Sequence, residues 1–368
     1  MPEASSKLCV IYNMAAKYRA PIFQLMDREM DIDWYFGESI GDIKELDPNS
    51  LKNATIIKQK VWKVLTWQQG ILKHLRNREY DRYLMLGEPF TLSTWAFMLL
   101  KKFIAPRKKI YLWSHGWYGR EGFIKKWIKR AFFGLPDGSF LYGNYAREIA
   151  IKQGNNPDKL WVIHNSLDHA KHIELRNSVK IAGIYRERFK NDNPVLIFIG
   201  RLTKVKKLHQ IFEAIALLKK KDKHYNIVLV GDGEERTKLE ECATRLKIPV
   251  WFYGSCYDET KNAELIYNAD LCISPGNVGL TAIHTMTFGT PVLTHSNFPN
   301  QMPEFEAIKE GKTGAFFNEN SIESLAENIS LWFSHPNYSR ETIRQNCQEE
   351  IDNFWTPQFQ LNVLKQKL

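Results

Sequence analysis

Ser274 to Pro291 reads SPGNVGLTAIHTMTFGTP. The apolar residues leading into it, Leu271 to Ile273, have the length and composition of a buried strand. Pro275, Gly276 and Asn277 then form a turn, and Gly279 opens a helix that ends at Gly289-Thr290-Pro291. The first amides of such a helix lack intrahelical partners and favour anions. About seventy residues earlier, Val195 to Lys207 reads VLIFIGRLTKVKK. Val195 to Ile199 is a β-branched, apolar strand that ends at Gly200 and delivers Arg201 and Lys206 just beyond its carboxyl end. Two cations and an amide-rich helix start suit a diphosphate.

Working outward, strand and helix signals alternate along the whole chain, the pattern of α/β units with parallel sheets. In the first half, Leu8 to Tyr12, Ile32 to Phe36, Tyr83 to Leu86, Lys109 to Trp113, Ser139 to Leu141 and Trp161 to Ile163 read as strands. In the second half, Val195 to Ile199, Asn226 to Val230, Val250 to Tyr253, Leu271 to Ile273, Pro291 to Thr294 and Ala315 to Phe317 do so. Two Rossmann-like domains facing a central cleft are expected, with ligands beyond the carboxyl ends of the strands.

At these residues the chain resembles family 4 glycosyltransferases of the GT-B fold. The resemblance rests on Gly200-Arg201-Leu202 with Lys206, on Ser274-Pro275, on Gly279-Leu280 and on Gly289-Thr290-Pro291-Val292. It is extended by Val230-Gly231-Asp232-Gly233, Phe252-Tyr253-Gly254, Tyr267-Asn268-Ala269-Asp270, Pro303-Glu304, Gly311-Lys312-Thr313-Gly314 and Val162-Ile163-His164-Asn165, so that it covers about residues 160 to 330. It implies an acceptor domain over 1–180, a donor domain over 181–353 and a final helix, 354–368, crossing back to the first domain. It also implies transfer of a sugar, with retention, from a nucleoside diphosphate sugar to an acceptor hydroxyl, with no cofactor or metal.

In that reading Arg201 and Lys206 stabilise the leaving diphosphate as its charge grows. Gly276, Asn277, Gly279, Leu280, Thr281, His284, Gly231, Tyr253, Gly254 and Cys256 bind the donor. Members of the family carry two glutamates eight positions apart, for the sugar and the ribose, and this chain has Gly276 and His284 there. A histidine can still hydrogen-bond a ribose hydroxyl through one ring nitrogen; Gly276 offers only backbone. On the acceptor side, the family's histidine after the corresponding strand maps to His115, in Trp113-Ser114-His115-Gly116-Trp117. Glu88, following the strand that ends at Leu86, is positioned to orient an acceptor hydroxyl, and Lys17 or Arg19 to bind an acceptor phosphate.

The composition fits a folded chain of two domains: 368 residues, 44% apolar and 13% aromatic. The net charge is +10, and all of the excess lies before residue 181. A run from Glu121 to Leu135 (EGFIKKWIKRAFFGL) places Phe123, Ile124, Trp127, Ile128, Ala131 and Phe132 at helical spacing, with Lys125, Lys126, Lys129 and Arg130 on the other face. Two readings stay open for it: a helix lying in an anionic membrane interface, or a surface helix packing its stripe on the core. A lipid-linked diphosphate glycan, polyprenyl in type, is the preferred acceptor. No nucleic-acid motif accompanies the charge. The polar start, Met1 to Lys7, and the absence of a long apolar run point to a cytoplasmic protein, peripheral at the inner face of the plasma membrane. Cys9, Cys242, Cys256, Cys272 and Cys347 are scattered without metal-ligand spacing. Two other classes remain: a sugar-nucleotide epimerase of the same fold, disfavoured by the missing carboxylate at Gly276, and a non-catalytic scaffold, favoured by Gly276 and His284. A dinucleotide oxidoreductase is opposed by the lack of GxGxxG after either first strand.

Overall fold

The computed structural model describes residues 7–38, 44–335 and 339–368. Most of the polar start read above, Met1 to Ser6, lies outside them. The chain divides into two compact units: residues up to Asp168 together with Thr356–Leu368, and His169–Trp355.

The first unit contains β1 (Lys7–Tyr12), β2 (Ile32–Gly37), β3 (Ala54–Ile57), β4 (Gln59–Trp62), β5 (Leu65–Gln68), β6 (Tyr80–Leu86), β7 (Lys109–Ser114), β8 (Gly138–Leu141) and β9 (Leu160–Val162). Its helices are α1 (Ala20–Glu29), α2 (Leu92–Ile104), α3 (Phe123–Phe133) and α4 (Asn144–Lys152). The strands form a parallel sheet in the order β3-β2-β1-β6-β7-β8-β9, with β4 and β5 paired separately as an antiparallel hairpin. Alternate residues of β1 enter opposite cores, as the two-residue period of a strand requires. Leu8, Val10 and Tyr12 join Phe23 and Met26 of α1 with Trp34, Phe36, Trp113 and Phe140. Cys9 and Ile11 join Tyr83, Met85, Leu112, Phe97 of α2 and Phe132 of α3. Both faces are therefore covered, the condition under which parallel sheets are stable.

The second unit contains β10 (Val195–Ile199), β11 (Asn226–Val230), β12 (Val250–Gly254), β13 (Leu271–Ser274), β14 (Val292–His295) and β15 (Gly314–Phe317). Between and around them run α5 (His169–Ser178), α6 (Ile184–Phe189), α7 (His209–Lys219), α8 (Arg236–Leu246), α9 (Glu259–Asn268), α10 (Leu280–Thr287), α11 (Ile322–Ser334) and α12 (Arg340–Phe354). The parallel order β12-β11-β10-β13-β14-β15 reverses direction between β10 and β13. In such sheets ligands bind at that switch point, beyond the carboxyl ends of the strands.

The division falls at Asp168 rather than at residue 180. Arg176 of α5 explains the difference, because its Nη1 and Nη2 fork onto Asp352 Oδ1 and Oδ2 at 3.1 and 2.8 Å. His172 of α5 also packs against Phe288, with ring centroids 5.5 Å apart. The return to the first unit is likewise later than 354: Phe354 ends α12, and Trp355 is buried and donates to Glu350 Oε1 at 3.1 Å. Thr356 then caps α13 (Pro357–Lys367), accepting from the Phe359 amide at 3.1 Å, with proline at the first helical position. Leu361 and Leu364 of α13 enter the first core. Gln360 is fully buried between them, donating to the His164 carbonyl at 2.8 Å and accepting from Ser166 Oγ at 2.6 Å.

Candidate functional site

At the switch point of the second unit, the loop after β10 and the turn after β13 close on each other. Lys206, at the end of a short 3-10 turn over Lys204–Lys206, donates from Nζ to the Asn277 carbonyl at 2.6 Å and to Asn277 Oδ1 at 2.9 Å. Burial lowers its pKa, the charge of the buried Glu304 opposes that, and the charge of Arg201 adds to the lowering. Arg201 itself is exposed. A partly buried cation and an exposed one thus share the rim of one turn.

Gly276 is required by the closeness of this approach. A Cβ added there stands 2.0 Å from the Val205 carbonyl oxygen and 2.8 Å from Lys206 Cα. The Gly276 amide donates to the Lys206 carbonyl at 3.0 Å. The position facing the family's first glutamate is therefore filled by the backbone that carries Lys206. Beyond the turn, Gly279 takes φ 53° at the N-cap of α10, a left-handed value that suits glycine. Thr281 Oγ1 donates to the Ile199 carbonyl at 3.1 Å and ties the helix start to the end of β10. Its hydroxyl is structural, whereas the first amides of α10, including that of Leu280, lack intrahelical partners.

A buried amide that carried no sequence signal holds this turn from behind. Gln301 Oε1 accepts from the Val278 amide at 2.9 Å, and its Nε2 donates to Thr294 Oγ1 at 2.8 Å and to the His295 carbonyl at 2.9 Å. Thr294 Oγ1 in turn donates to the Ser274 carbonyl at 2.8 Å. Gly231 and Gly254 meet at the tips of β11 and β12, the Gly231 amide donating to the Gly254 carbonyl at 2.8 Å. Tyr253 is partly buried and leans on Trp251 with ring centroids 5.2 Å apart. The Cys256 carbonyl accepts from Asn262 Nδ2 at 3.5 Å.

His284 meets two partners absent from the motif. Its Nε2 lies 3.2 Å from Glu259 Oε2, and its ring stacks on His172 at 5.2 Å and 18°. Glu259 starts α9 directly after Asp258, whose side chain caps that helix by accepting from the Thr260 and Lys261 amides at 2.8 and 3.3 Å. Contacts with the two imidazoles hold the Glu259 carboxyl far below the ordinary carboxylate range.

In the first unit, the ends of β6 and β7 frame a cavity of about 370 Å³ lined by Glu88, Ser114, His115, Tyr118, Glu121 and Lys129, among others. Ser114 Oγ donates to the Gly87 carbonyl at 2.5 Å and accepts from the Gly116 amide at 2.9 Å, fixing the loop that carries His115. Burial, then the charges of Arg19 and Lys129, push the His115 imidazole down to about 4, so it is neutral at pH 7. Its Nδ1 is buried without a hydrogen-bond partner. Burial raises the Glu88 carboxyl above its ordinary value, although the side chain still reaches solvent.

Lys17 and Arg19 part company. Lys17 is exposed, whereas Arg19 is buried beneath an aromatic wall, 4.3 Å from the Trp113 ring centroid and 4.7 Å from that of Tyr12. Its Nη1 donates to Tyr12 Oη at 2.7 Å and to Tyr142 Oη, while Nε and Nη2 are buried without partners. Lys129 is also turned inward: its Nζ donates to Glu121 Oε1 at 2.7 Å and to the Gly116 carbonyl at 2.8 Å. It is therefore not one of the surface cations of α3. Burial alone would raise the Glu121 carboxyl, but Lys129 and the Tyr118 amide hold it low. Along α3 the apolar stripe is split. Phe132 is buried, whereas Phe123, Ile124 and Trp127 are 87, 73 and 69% exposed. No helix among the described residues is long and apolar enough to cross a membrane.

Residues 184–350, which hold the whole switch-point site, match the family described as glycosyl transferases group 1. A GDP-mannose-dependent alpha-(1-6)-phosphatidylinositol dimannoside mannosyltransferase of Mycobacterium tuberculosis (strain ATCC 25177 / H37Ra) is 32% identical over 165 residues, 44% of this chain and 40% of that protein. The chain thus spans less than half the length of the curated relatives of this kind. Over nearly its full length it has the fold of Anabaena HepE in complex with UDP, at 16% identity and TM-score 0.72, covering 98% of this chain and 99% of that one. The apo lipopolysaccharide outer core galactosyltransferase WaaB superposes with TM-score 0.74 at 14% identity, covering 98 and 100%. The second unit is thus similar to the glycosyl transferases group 1 family, and the chain has the two-unit α/β architecture of the GT-B fold.

Proposed function

We propose that this protein transfers a sugar from a nucleoside diphosphate sugar to the hydroxyl of a glycan or lipid-linked acceptor, with retention at the anomeric carbon. The observation that carries the reading is Lys206, a partly buried ammonium held on Asn277 just before α10, beyond the ends of β10 and β13. Charge gathers on the diphosphate as the glycosidic bond breaks. Lys206, Arg201 and the α10 amides meet that charge without a reorganisation of solvent. The diphosphate oxygen on the same face of the sugar accepts the acceptor's proton, so no protein nucleophile is needed and the donor requires no metal. The name of the mycobacterial relative, with GDP-mannose and a phosphoinositide acceptor, and the UDP bound to HepE support a nucleotide-sugar donor.

On the acceptor side, neutral His115 and Glu88 serve the reacting hydroxyl, while Arg19 offers unpartnered Nε and Nη2 to an acceptor phosphate. The exposed Phe123, Ile124 and Trp127, flanked by the exposed cations Lys125, Lys126 and Arg130, support docking of α3 on an anionic lipid surface. That placement fits a polyprenyl-diphosphate-linked acceptor and a part in bacterial surface polysaccharide assembly at the cytoplasmic membrane face. A second reading, donor binding without turnover, is favoured by the packed Gly276 and by the engagement of His284 with Glu259.

Thermal shifts with UDP, GDP, ADP, CMP and their sugars, with and without chelator, test the donor site, because a bound ligand raises stability by mass action. The expected result is a chelator-insensitive shift with one nucleotide diphosphate that is reduced in Arg201→Ala. An unchanged shift in that variant refutes the diphosphate assignment. A shift without sugar transfer selects the second reading.

A further inference from the structure

Three helices of the second unit bring one side chain each to a common point. His172 of α5, Glu259 of α9 and His284 of α10 have ligating atoms all within 4.8 Å of one another. Glu259 Oε2 lies 3.6 Å from His172 Nε2 and 3.2 Å from His284 Nε2. Two ligand atoms on one tetrahedral ion, bound at about 2.0–2.2 Å, stand roughly 3.2–3.6 Å apart. The observed spacings match that pair separation, and they lie at or beyond the long end of ordinary N–H···O distances. Alignment agrees: Glu259 Oε2 and His284 Nε2 are buried yet make no hydrogen bond. Buried polar atoms left in this state are rare and call for an unseen partner.

The surroundings hold the set in place. Asp258 caps α9 and fixes the turn that carries Glu259. Phe288, one turn beyond His284, packs on both imidazoles at 5.5 and 5.8 Å. The His172 side chain is only 7% exposed and that of His284 16%, whereas Glu259 is 31% exposed, so the point is reached from the carboxylate side. Two imidazoles and one carboxylate suit zinc and its neighbours, while magnesium and calcium prefer oxygen ligands throughout.

We propose that His172, Glu259 and His284 form a binding site for a divalent transition-metal ion of the zinc class, with a fourth position open to water. The ion braces α5 against α9 and α10, which lie some eighty residues or more further along the chain. The proposal goes beyond the donor reading and does not rest on it; His284 is the one residue that both use, so the test turns on the other two.

The whole chain, stripped with chelator and dialysed, is titrated with Co²⁺ while the visible absorption is followed, then with Zn²⁺ by calorimetry. The expected result is one ion per chain, with the intense visible band of a four- or five-coordinate Co²⁺ that Zn²⁺ displaces. The band is lost in His172→Gln and in Glu259→Gln. If the buried His172 variant fails to fold, the more exposed Glu259→Gln carries the test. Absence of the band in the unaltered protein, or a band undiminished in Glu259→Gln, overturns the proposal. The nucleotide shift measured on the stripped protein reports the donor site separately, so either reading can fail while the other stands.

Discussion

Gly276→Ala puts the geometry of the switch-point turn to a quantitative test. The added methyl stands 2.0 Å from the Val205 carbonyl oxygen and 2.8 Å from Lys206 Cα, so reaching the 3.4 Å of ordinary contact moves one segment by roughly 1.4 Å. Both neighbours are backbone, and no rotamer change relieves the overlap. Overpacking of this kind costs about 1–3 kcal/mol. A unit of this size loses about 2–4 °C of melting temperature per kcal/mol, so a fall of about 2–12 °C is expected. The same displacement pulls Lys206 Nζ from Asn277, where it now sits at 2.6 and 2.9 Å. Losing one charge-assisted hydrogen bond costs about 1.5–3 kcal/mol, or about tenfold to a hundredfold in affinity for the nucleotide diphosphate. Calorimetric melting and nucleotide titration measure the two effects. Gly183→Ala is the control, because nothing lies within 4 Å of its added Cβ and its φ is −77°. It should stay within about 0.5 kcal/mol. A Gly276→Ala protein that melts and binds nucleotide like the unaltered chain refutes the close-approach argument and reopens the position to a side chain.

Lys206→Met keeps the apolar stem but removes the charge, so affinity for a nucleoside diphosphate should fall about tenfold or more while that for the nucleoside changes little, as read by calorimetry. Phe123→Ser with Trp127→Ser should abolish sedimentation with anionic vesicles without lowering the melting temperature, since both side chains lie largely in solvent. The pH dependence of stability follows from His115, whose pKa falls from 6.5 to about 4 on folding. Below 6.5 the unfolded chain binds the proton that the folded one refuses. Its contribution is therefore complete above pH 6.5, declines as pH falls, and is lost below about 4, to the extent of roughly 3 kcal/mol. His115→Gln should flatten that part of a melting-temperature profile; an unaltered slope contradicts the buried neutral imidazole.

The second unit was almost fully legible in the sequence because its strands are short, largely apolar runs, four of them ended by glycine or proline, and all six lie where those runs predict. In the first unit β3, β4 and β5 escaped for a physical reason. Ile56, Val61 and Trp62 are 46, 49 and 52% exposed, so β3 and β4 lack the buried run that marks the others, and β5 is only the four mixed residues Leu65, Thr66, Trp67 and Gln68. At the candidate site, Lys206, Asn277 and the α10 start were readable from strand-turn-helix order. Gln301 was not, because its role depends on three long-range hydrogen bonds. Nor was the meeting of His172, Glu259 and His284, which lie in separate helices with no ligand spacing between them. Lys17 and Arg19 were read together as alternative binders of an acceptor phosphate; only the packing of Tyr12, Trp113 and Tyr142 shows that the two residues face different surroundings.

The docking of α13 into the first core has a consequence for synthesis. Leu361, Leu364 and the fully buried Gln360 complete a hydrophobic face that β1, β2 and β7 have been presenting since the chain's first third. The whole second unit, His169–Trp355, must leave the ribosome before they arrive. At about 5–20 residues per second that interval is on the order of 10–40 s. Throughout it the core cluster that holds Trp34, Trp113 and Phe140 lacks its α13 members. The order of translation therefore lets the second unit finish first and leaves the earlier-made half waiting for the helix that completes its core.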